Sequence, residues 1–306
     1  MGVSFRLSLA LLLLPDGLLT AGAVFRVATY NLENYFIEAQ DRRHAKTAEA
    51  RAQVRESIRQ MAPDVIALQE VGGTNALQEL RRGLSAMGLD FPYAEYVPGW
   101  DPAIHTAILS RFPIMARRPH TNDVFLLSGR RFHVSRGIGD IEIQVTPSYR
   151  FTLLAAHLKS RLQTALADET ELRLQEAKVL GKIVDEYLAS NPEANLVVVG
   201  DLNDTKDSAS VHEVIGRGRR KLIDTRPGER RPGSPSGDSS GVKGRTVTWT
   251  HFYPKADTYS RVDFILLSRG MAREWVKNET YVLASPEWGT GSDHRPLVAA
   301  FDTEDR

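Results

Sequence analysis

The sequence contains no cysteine. Disulfide bonds, thiolate zinc sites, cysteine nucleophiles and lipid attachment through cysteine are therefore excluded. A chain of 306 residues is long enough to be stabilised by its hydrophobic core alone. An excess of one sign of charge is also lacking, because the net charge is only +1 at pH 7. Attraction of the whole protein to a polyanion is therefore weak, and any such attraction has to come from local clusters of charge.

Long hydrophobic runs are missing as well. The apolar run at residues 7–14 is far shorter than the roughly 20 residues that a membrane-spanning helix requires. It follows Arg6 and precedes the Ala-x-Ala sequence that ends at Ala23, which together are the parts of a secretory signal peptide. We therefore predict a signal peptide at residues 1–23 and export to the periplasm or the extracellular space, without a stable membrane anchor. The alternative is a buried first strand or helix.

No repeat with a period of 20–50 residues is present, which argues against a solenoid or propeller. Short apolar runs recur instead, as is typical of buried strands, and helical stripes lie between some of them. We expect one α/β domain over residues 24–306, with mixed sheets and a flexible loop at 228–244. The predicted strands are 24–30, 64–69, 151–156, 196–200, 246–250, 262–267 and 297–301, with antiparallel pairs within 104–145; the predicted helices are 54–61, 77–87 and 168–189.

Polar residues stand at the ends of these predicted strands. Asn31, Glu70, His157 and Asp201 each follow a strand, whereas Asp263 and the sequence Ser292-Asp293-His294 lie at or near the start of one. In a mixed sheet, the exit of one strand and the entrance of an antiparallel neighbour share an edge. Each residue alone is compatible with an ordinary surface group, but together they predict one site at a sheet edge.

The motifs that contain these residues occur in a fixed order along most of the chain. They are ATYNLENYF (28–36), DVIALQEV (64–71), TAILSRFPI (106–114), LLAAHLKS (153–160), VVVGDLND (197–204), RVDFILLS (261–268) and GSDHRPL (291–297). This set resembles the endonuclease/exonuclease/phosphatase superfamily, which includes pancreatic DNase and neutral sphingomyelinases. The resemblance implies a four-layer α/β sandwich, in which two mixed, mostly antiparallel sheets pack face to face with helices on the outside.

The resemblance also implies roles for individual residues. Glu70 matches the principal metal-binding carboxylate, with Asn31 and Asp293 close to the ion. His157 and His294 match the two imidazoles that flank the scissile phosphate. Asp201 and Asn203 match the pair beside the attacking water. Asp263 matches the carboxylate that orients His294. Glu95 is a looser match for a residue that orients His157. The candidate catalytic residues are His157, Asp201, Asn203, Asp263 and His294; the candidate metal ligands are Asn31, Glu70 and Asp293.

Phosphodiester hydrolysis needs these residue types. The anionic phosphate repels a nucleophile, so a cation must first offset its charge, and oxygen ligands favour Mg²⁺ or Mn²⁺. Asp201 is suited to accept a proton from the attacking water, or to position it, and an imidazole can donate one to the leaving oxygen. We therefore expect a metal-dependent phosphodiesterase that uses direct attack by water, without a covalent intermediate.

The substrate class stays open between several alternatives. A nuclease that acts on DNA is favoured by Arg130-Arg131 and by the basic segment 217–231, although that segment is also compatible with a solvated loop. We expect the protein to be a monomer. A phosphoesterase for a lipid headgroup or for a sugar or inositol phosphate is the second hypothesis, with residues 124–127 as a weak candidate for membrane contact. A non-catalytic binding protein is the third. Trp249 is interpreted as a core residue rather than as a residue that stacks on a substrate ring.

Overall fold

Six of the seven strands that the apolar runs predict individually are present with somewhat different bounds, and further strands accompany them. The computed structural model describes residues 22–40, 43–234 and 247–305. In these residues the strands are β1 (Val24–Tyr35), β2 (Val65–Val71), β3 (Tyr93–Val97), β4 (His105–Ser110), β5 (Ile114–Arg117), β6 (Val124–Leu127), β7 (Arg130–His133), β8 (Gly139–Thr146), β9 (Tyr149–His157), β10 (Leu196–Asp201), β11 (Ile223–Asp224), β12 (Gly228–Arg230), β13 (His251–Tyr253), β14 (Thr258–Ser260), β15 (Asp263–Leu267), β16 (Trp275–Leu283) and β17 (Leu297–Asp302).

The three predicted helices are confirmed, and their ends have local causes. Thr47 caps the first helix by accepting a hydrogen bond from the Ala50 amide, and Asp168 caps the third by accepting from the amides of Thr170 and Glu171. The helices are α1 (Ala48–Met61), α2 (Thr74–Ala86), α3 (Glu169–Ser190), α4 (Ala209–Ile215), α5 (Arg269–Arg273) and α6 (Trp288–Gly291), with 3₁₀ turns at Gly218–Arg220 and Pro254–Ala256.

Most of the strands form two mixed sheets. The first sheet has seven strands in the order β12-β16-β17-β1-β2-β4-β3, and the second has six in the order β11-β15-β10-β9-β8-β5. The pairs β1-β2, β9-β10 and β12-β16 are parallel, and the other pairs within the two sheets are antiparallel. The expectation of two mixed, mostly antiparallel sheets is confirmed.

Three apolar clusters hold four layers together. One lies between the sheets and contains Phe25 and Phe151 from opposite sheets. A second packs α1 and α2 on the first sheet, and a third packs α3 and α4 on the second. Because each sheet buries one face on the other sheet and one face on helices, its central strands read as continuous apolar runs. The four-layer sandwich that the resemblance implied is the observed architecture.

Two sequence expectations are wrong in this fold. Residues 247–250 form no strand, and the strand begins at His251; the Thr250 hydroxyl before it accepts hydrogen bonds from the Val262 and Asp263 amides. The expected loop at 228–244 is wrong at its start, where strand β12 lies and Arg230 pairs with Glu279 on β16 over 3.3 Å; residues 235–244 lie outside the described residues.

The predicted signal peptide, residues 1–23, lies almost entirely outside the described residues. Among the helices that the structure describes, none has the length and apolar character needed to cross a membrane.

Candidate active site

The registers of three neighbouring strands bring the predicted residues to one sheet edge. His157 ends β9 and Asp201 ends β10, and the two are direct partners in a parallel ladder. Asp263 begins β15 and is the antiparallel partner of Asp201. The facing sheet contributes Asn31 near the end of β1, whose side-chain amide donates a hydrogen bond to Oδ2 of Asp201 over 3.0 Å. The site therefore spans the edges of both sheets.

Asp201 lies at the centre of this group and is almost completely buried. Its Oδ2 is 3.6 Å from Nε2 of His157 and 3.8 Å from Nε2 of His294. The backbone amide of Asn203 donates to Oδ1 over 2.8 Å, which fixes the carboxylate plane. Burial, and then the negative charge of Asp263, raise the pKa of Asp201 to about 7. The carboxylate can therefore take up or release a proton near neutral pH.

Two hydrogen bonds of Ser292 position the loop that carries His294, and Asp263 on β15 holds the ring as a cation. The Ser292 hydroxyl donates to the Asn31 carbonyl and accepts from the His294 amide, which ties the loop to β1. Nδ1 of His294 donates to Oδ2 of Asp263 over 2.9 Å. Burial alone would lower the pKa of His294, but the charge and hydrogen bond of Asp263, with further support from Asp201, raise it to about 10. The ring is therefore protonated at neutral pH.

His157 has the opposite electrostatic environment. Burial lowers the pKa of this imidazole well below its usual value, and the positive charge of Arg136 lowers it further. Nε2 points towards Asp201 and towards Oε1 of Glu70, 3.9 Å away, and the buried Nδ1 has no hydrogen-bond partner among the described residues. The site thus contains one neutral and one cationic imidazole on either side of the same carboxylate.

Glu70 reaches the site through irregular backbone at the end of β2. Its φ is 62°, in the left-handed region that side chains other than glycine seldom occupy, and the ladder to β1 shifts register there. This turn aims the carboxylate at the site, where Oε2 accepts from the Asn34 amide over 2.8 Å and Oε1 lies 3.4 Å from the Asn31 side-chain nitrogen. Asn31 therefore bridges Glu70 and Asp201 as a hydrogen-bond donor, and a ligand role for its oxygen stays a prediction.

Glu33 is absent from the candidate residues of the sequence analysis, but it belongs to the site. Its carboxylate accepts a hydrogen bond from the Asp293 amide, and the charges of Asp293 and Glu70 follow burial as causes of its raised pKa. Lys46 supplies counter-charge, with Nζ 3.8 Å from Glu33. Because three carboxylates converge on this one lysine, the cluster has an excess of negative charge. Oxygen donors in such a cluster fit a hard divalent cation such as Mg²⁺ or Mn²⁺.

His251 was not predicted either. Its ring packs against that of His294 at a tilt of 32°, with centroids 4.4 Å apart, and its Nε2 is 3.6 Å from Oδ2 of Asp293. His251, Asp293 and His294 place one donor atom each within 4.8 Å of one another, and Asp201, Asp263 and His294 do the same. Asp263 and His294 already form a tight pair in the second group, and a metal-binding role for Glu70 and Asp293 stays a prediction.

Other candidates lie elsewhere or act differently. The interpretation that Glu95 orients His157 is wrong: Glu95 lies on β3, in the other sheet, and pairs with Arg117 over 2.7 Å. Trp249 is half-buried beside a surface cavity, so the core interpretation is also wrong. Asn203 lies in the site, where its side-chain amide donates to the Leu158 carbonyl over 2.9 Å and its φ is 54°.

Gly200 is required by the close approach of β9 and β10. Its φ is +132°, and an added Cβ would lie 1.9 Å from the Ala156 carbonyl oxygen. We expect Gly200→Ala to lower the free energy of unfolding by about 3 kcal/mol or more, measured by urea denaturation. Gly129→Ala is the matched control, since Gly129 also has positive φ but an added Cβ would meet no atom of the described residues within 4 Å. Equal destabilisation by both substitutions would contradict this explanation.

Comparison with known proteins decides the family. Residues 28–294 match the sequence model of the Endonuclease/Exonuclease/phosphatase family. The chain belongs to this family. Members of the Endonuclease/Exonuclease/phosphatase family hydrolyse phosphoester bonds and generally use divalent metal ions. A search of curated proteins finds no match.

Solved structures share the fold over almost the whole chain. A family protein from Bacteroides thetaiotaomicron is 19% identical, with 92% of this chain and 99% of that chain covered and a TM-score of 0.55. Sphingomyelinase C from Streptomyces griseocarneus is 17% identical, with 92% and 100% covered and a TM-score of 0.60. The human nocturnin catalytic domain with bound sulfate is 15% identical, with 91% and 94% covered and a TM-score of 0.59. At these identities the likeness concerns the fold.

Proposed function

We propose that this protein is a divalent-metal-dependent phosphodiesterase that cleaves DNA by direct attack of water on the phosphate. The observation that carries the proposal is the position of Asp201. This buried carboxylate lies between a neutral and a cationic imidazole, at 3.6 and 3.8 Å, and next to the carboxylate cluster. Hydrolysis needs this combination, since a base has to stand beside groups that stabilise developing negative charge.

Asp201 acts as the base. With its pKa raised to about 7, it accepts a proton from water more readily than an ordinary aspartate, and it is still ionised in part at neutral pH. Asn31 and Asn203 hold its two oxygens, so the lone pair that receives the proton has a fixed direction. The attacking water loses its proton to Asp201 while its oxygen forms a bond to phosphorus, and the bond to the leaving oxygen breaks.

The two histidines act on the phosphate oxygens. His294, held as a cation by Asp263, donates a hydrogen bond or its proton to the leaving or a non-bridging oxygen. His157, kept neutral by its surroundings, supplies a hydrogen bond from Nε2 without adding a second positive charge. Glu70 and Asp293 would hold the cation, which offsets the charge of the phosphate when it is bound.

Exposed arginines favour DNA as the substrate class. Arg130 and Arg131 are exposed on β7, and Arg217 and Arg219 are exposed before and within the 3₁₀ turn. Such residues attract a polyanionic backbone through local charge, although the net charge is only +1. The proposal includes export directed by residues 1–23 and action as a monomer.

A lipid-headgroup phosphoesterase is the second candidate, and one observation favours it. Strands β6 and β7 form a separate two-stranded hairpin, on which Leu126 is 70% exposed. An exposed apolar side chain beside Arg130 and Arg131 is suited to a membrane surface.

A substrate panel distinguishes the two candidates. We expect the mature protein to hydrolyse plasmid DNA with Mg²⁺ or Mn²⁺, to lose this activity in EDTA, and to act poorly on RNA, sphingomyelin and an inositol polyphosphate. His157→Ala and Asp201→Ala serve as inactive controls, so that contaminating nuclease is detected. Faster hydrolysis of sphingomyelin than of DNA would favour the second candidate, and metal-independent cleavage would contradict the proposed chemistry.

A further inference from the structure

A small hairpin lies at the rim of the candidate active site, beside His294. It consists of β13 and β14, which form a sheet of their own, and His251 at its start makes an isolated antiparallel bridge to His294. The Phe252 amide donates a hydrogen bond to the Asp293 carbonyl over 3.0 Å. Backbone contacts therefore fix the hairpin to the loop that carries Asp293 and His294.

The hairpin has two different faces, because side chains alternate along a strand. On one face Phe252 packs against Tyr259, with ring centroids 4.6 Å apart. His251 and Tyr253, which flank Phe252 in the sequence, share the other face, and their ring centroids are 6.5 Å apart. We refer to this second face as the His251–Tyr253 face. It borders the phosphate-binding groups, since the His251 ring packs against His294.

Three rings form a continuous row on this side of the site. The planes of His294 and His251 are tilted by 32°, and those of His251 and Tyr253 by 31°. Exposure rises along the row, from 6% for His294 to 41% for Tyr253. The row therefore begins at an imidazole of the site and ends at a tyrosine ring in solvent. Tyr253 lies two ring contacts from His294, so a group attached to a phosphate at His294 can reach it.

The His251–Tyr253 face also carries hydroxyl groups. Tyr253 pairs with Thr258 across the hairpin, and His251 pairs with Ser260. Directly opposite residues lie on the same side of a two-stranded sheet, so both hydroxyls lie on the face that carries the rings. Hydroxyls there can exchange hydrogen bonds with the oxygen atoms of a sugar or a base.

This combination suits a nucleoside better than a choline headgroup. A single exposed aromatic ring binds a nucleobase by stacking on its flat face. A quaternary ammonium group is bound best by a cage of several rings around the cation. In the part of the His251–Tyr253 face that the structure describes, Tyr253 is the one exposed ring.

We propose that Tyr253 stacks on the base of a nucleotide attached to the scissile phosphate. The row of rings then follows the substrate, with the phosphate at His294, the sugar beside His251 and the base on Tyr253. The inference rests on the proposed function and makes it more specific, because a base-binding residue favours a nucleotide over a lipid headgroup as the substrate. Tyr253 is a binding residue in this arrangement and takes no part in proton transfer.

Four esters with one leaving group provide the test: the 5′- and 3′-(4-nitrophenyl phosphates) of thymidine, methyl 4-nitrophenyl phosphate and 4-nitrophenylphosphorylcholine. The two thymidine isomers attach the base through either sugar oxygen. We expect Tyr253→Ala to lower kcat/KM for at least one thymidine ester by roughly 5- to 100-fold and to leave the methyl ester within about twofold. Tyr253→Phe should recover most of the loss, because a ring is restored.

Tyr259→Ala is the matched control for damage to the hairpin. Tyr259 is 55% exposed on the same hairpin, but it lies on the opposite face, against Phe252 and Trp249. A disturbed hairpin would follow from either substitution, whereas loss of stacking follows only from Tyr253→Ala. We therefore expect Tyr259→Ala to stay within about twofold of the wild type on both thymidine esters.

Equal losses in Tyr253→Ala and Tyr259→Ala, an equal loss on all esters, or a loss confined to the choline ester would overturn the inference. If the wild-type protein hydrolyses none of the esters, the proposed function fails, but calorimetry still tests Tyr253. In that case tighter binding of a thymidine monophosphate than of methyl phosphate, lost in Tyr253→Ala, supports base binding. Equal affinities for the two ligands contradict it.

Discussion

Asp201→Asn is expected to lower kcat by about 10³- to 10⁴-fold, with little change in KM. The amide has almost the shape of the carboxylate, and its oxygen can still accept one of the hydrogen bonds from Asn31 and Asn203. It cannot accept a proton from water at neutral pH. The measurement is steady-state hydrolysis of a phosphodiester with saturating Mg²⁺ or Mn²⁺.

The same substitution is expected to stabilise the fold. The pKa of Asp201 is about 7 in the folded protein against 3.8 when unperturbed, so the folded state resists its ionisation. The resulting cost to stability is absent below about pH 4, grows as the pH rises, and is complete above about pH 7. Asparagine removes this cost but loses a hydrogen bond, which leaves a net gain of about 1–2 kcal/mol at pH 8.

Thermal melts in EDTA at pH 8 and pH 4 measure the sign of the stability change caused by Asp201→Asn. The Tm of Asp201→Asn should exceed that of the wild type at pH 8, and at pH 4 this advantage should be gone, with the variant equal to or slightly below the wild type because only the lost hydrogen bond remains. Asp207→Asn is the matched control, because the Asp207 side chain is 76% exposed and pairs with Lys206 on the surface. A large fall in the Tm of Asp201→Asn would mean that lost activity reflects unfolding, and the assignment of Asp201 as the base would lose its support.

The position of the site could be predicted because polar residues after buried runs mark strand ends. His157, Asp201 and Asp263 follow from this pattern alone, since one parallel and one antiparallel pairing bring them into register. The family resemblance of the seven ordered motifs supplied the further information about which strands are neighbours. Periodicity by itself does not contain that information, because it gives the faces of a strand and not its partners.

The rest of the site depends on contacts that local sequence does not encode. Glu33 meets Asp293 across 260 positions, and nothing near Lys46 marks it as a counter-charge. His251 was missed because the predicted strand 246–250 ended just before it, whereas the observed strand starts there. Glu95 was misassigned because a short motif does not say to which sheet its strand belongs, and β3 lies in the sheet opposite to β9.

Asp263→Asn is the second substitution with a large expected effect, and it acts through His294. The pKa of His294 is about 10 because the charge and hydrogen bond of Asp263 outweigh burial. Without that charge, burial lowers the pKa, so the ring loses its proton at lower pH. We expect kcat at pH 8 to fall by about 10²- to 10³-fold and the alkaline limb of the pH–kcat profile to move down by about 1–3 units.

Asp263→Asn should destabilise the fold, whereas Asp201→Asn should stabilise it. A histidine with a raised pKa stabilises the fold fully below its unfolded pKa, near 6.5, and loses this contribution as the pH rises through about 10. Asp263→Asn should therefore lower the free energy of unfolding at pH 6 by on the order of 3 kcal/mol.

A double-mutant cycle tests whether Asp263 affects catalysis through His294. In a His294→Gln background, Asp263→Asn should add little further loss of kcat. A full additional loss would show that Asp263 contributes to catalysis independently of His294.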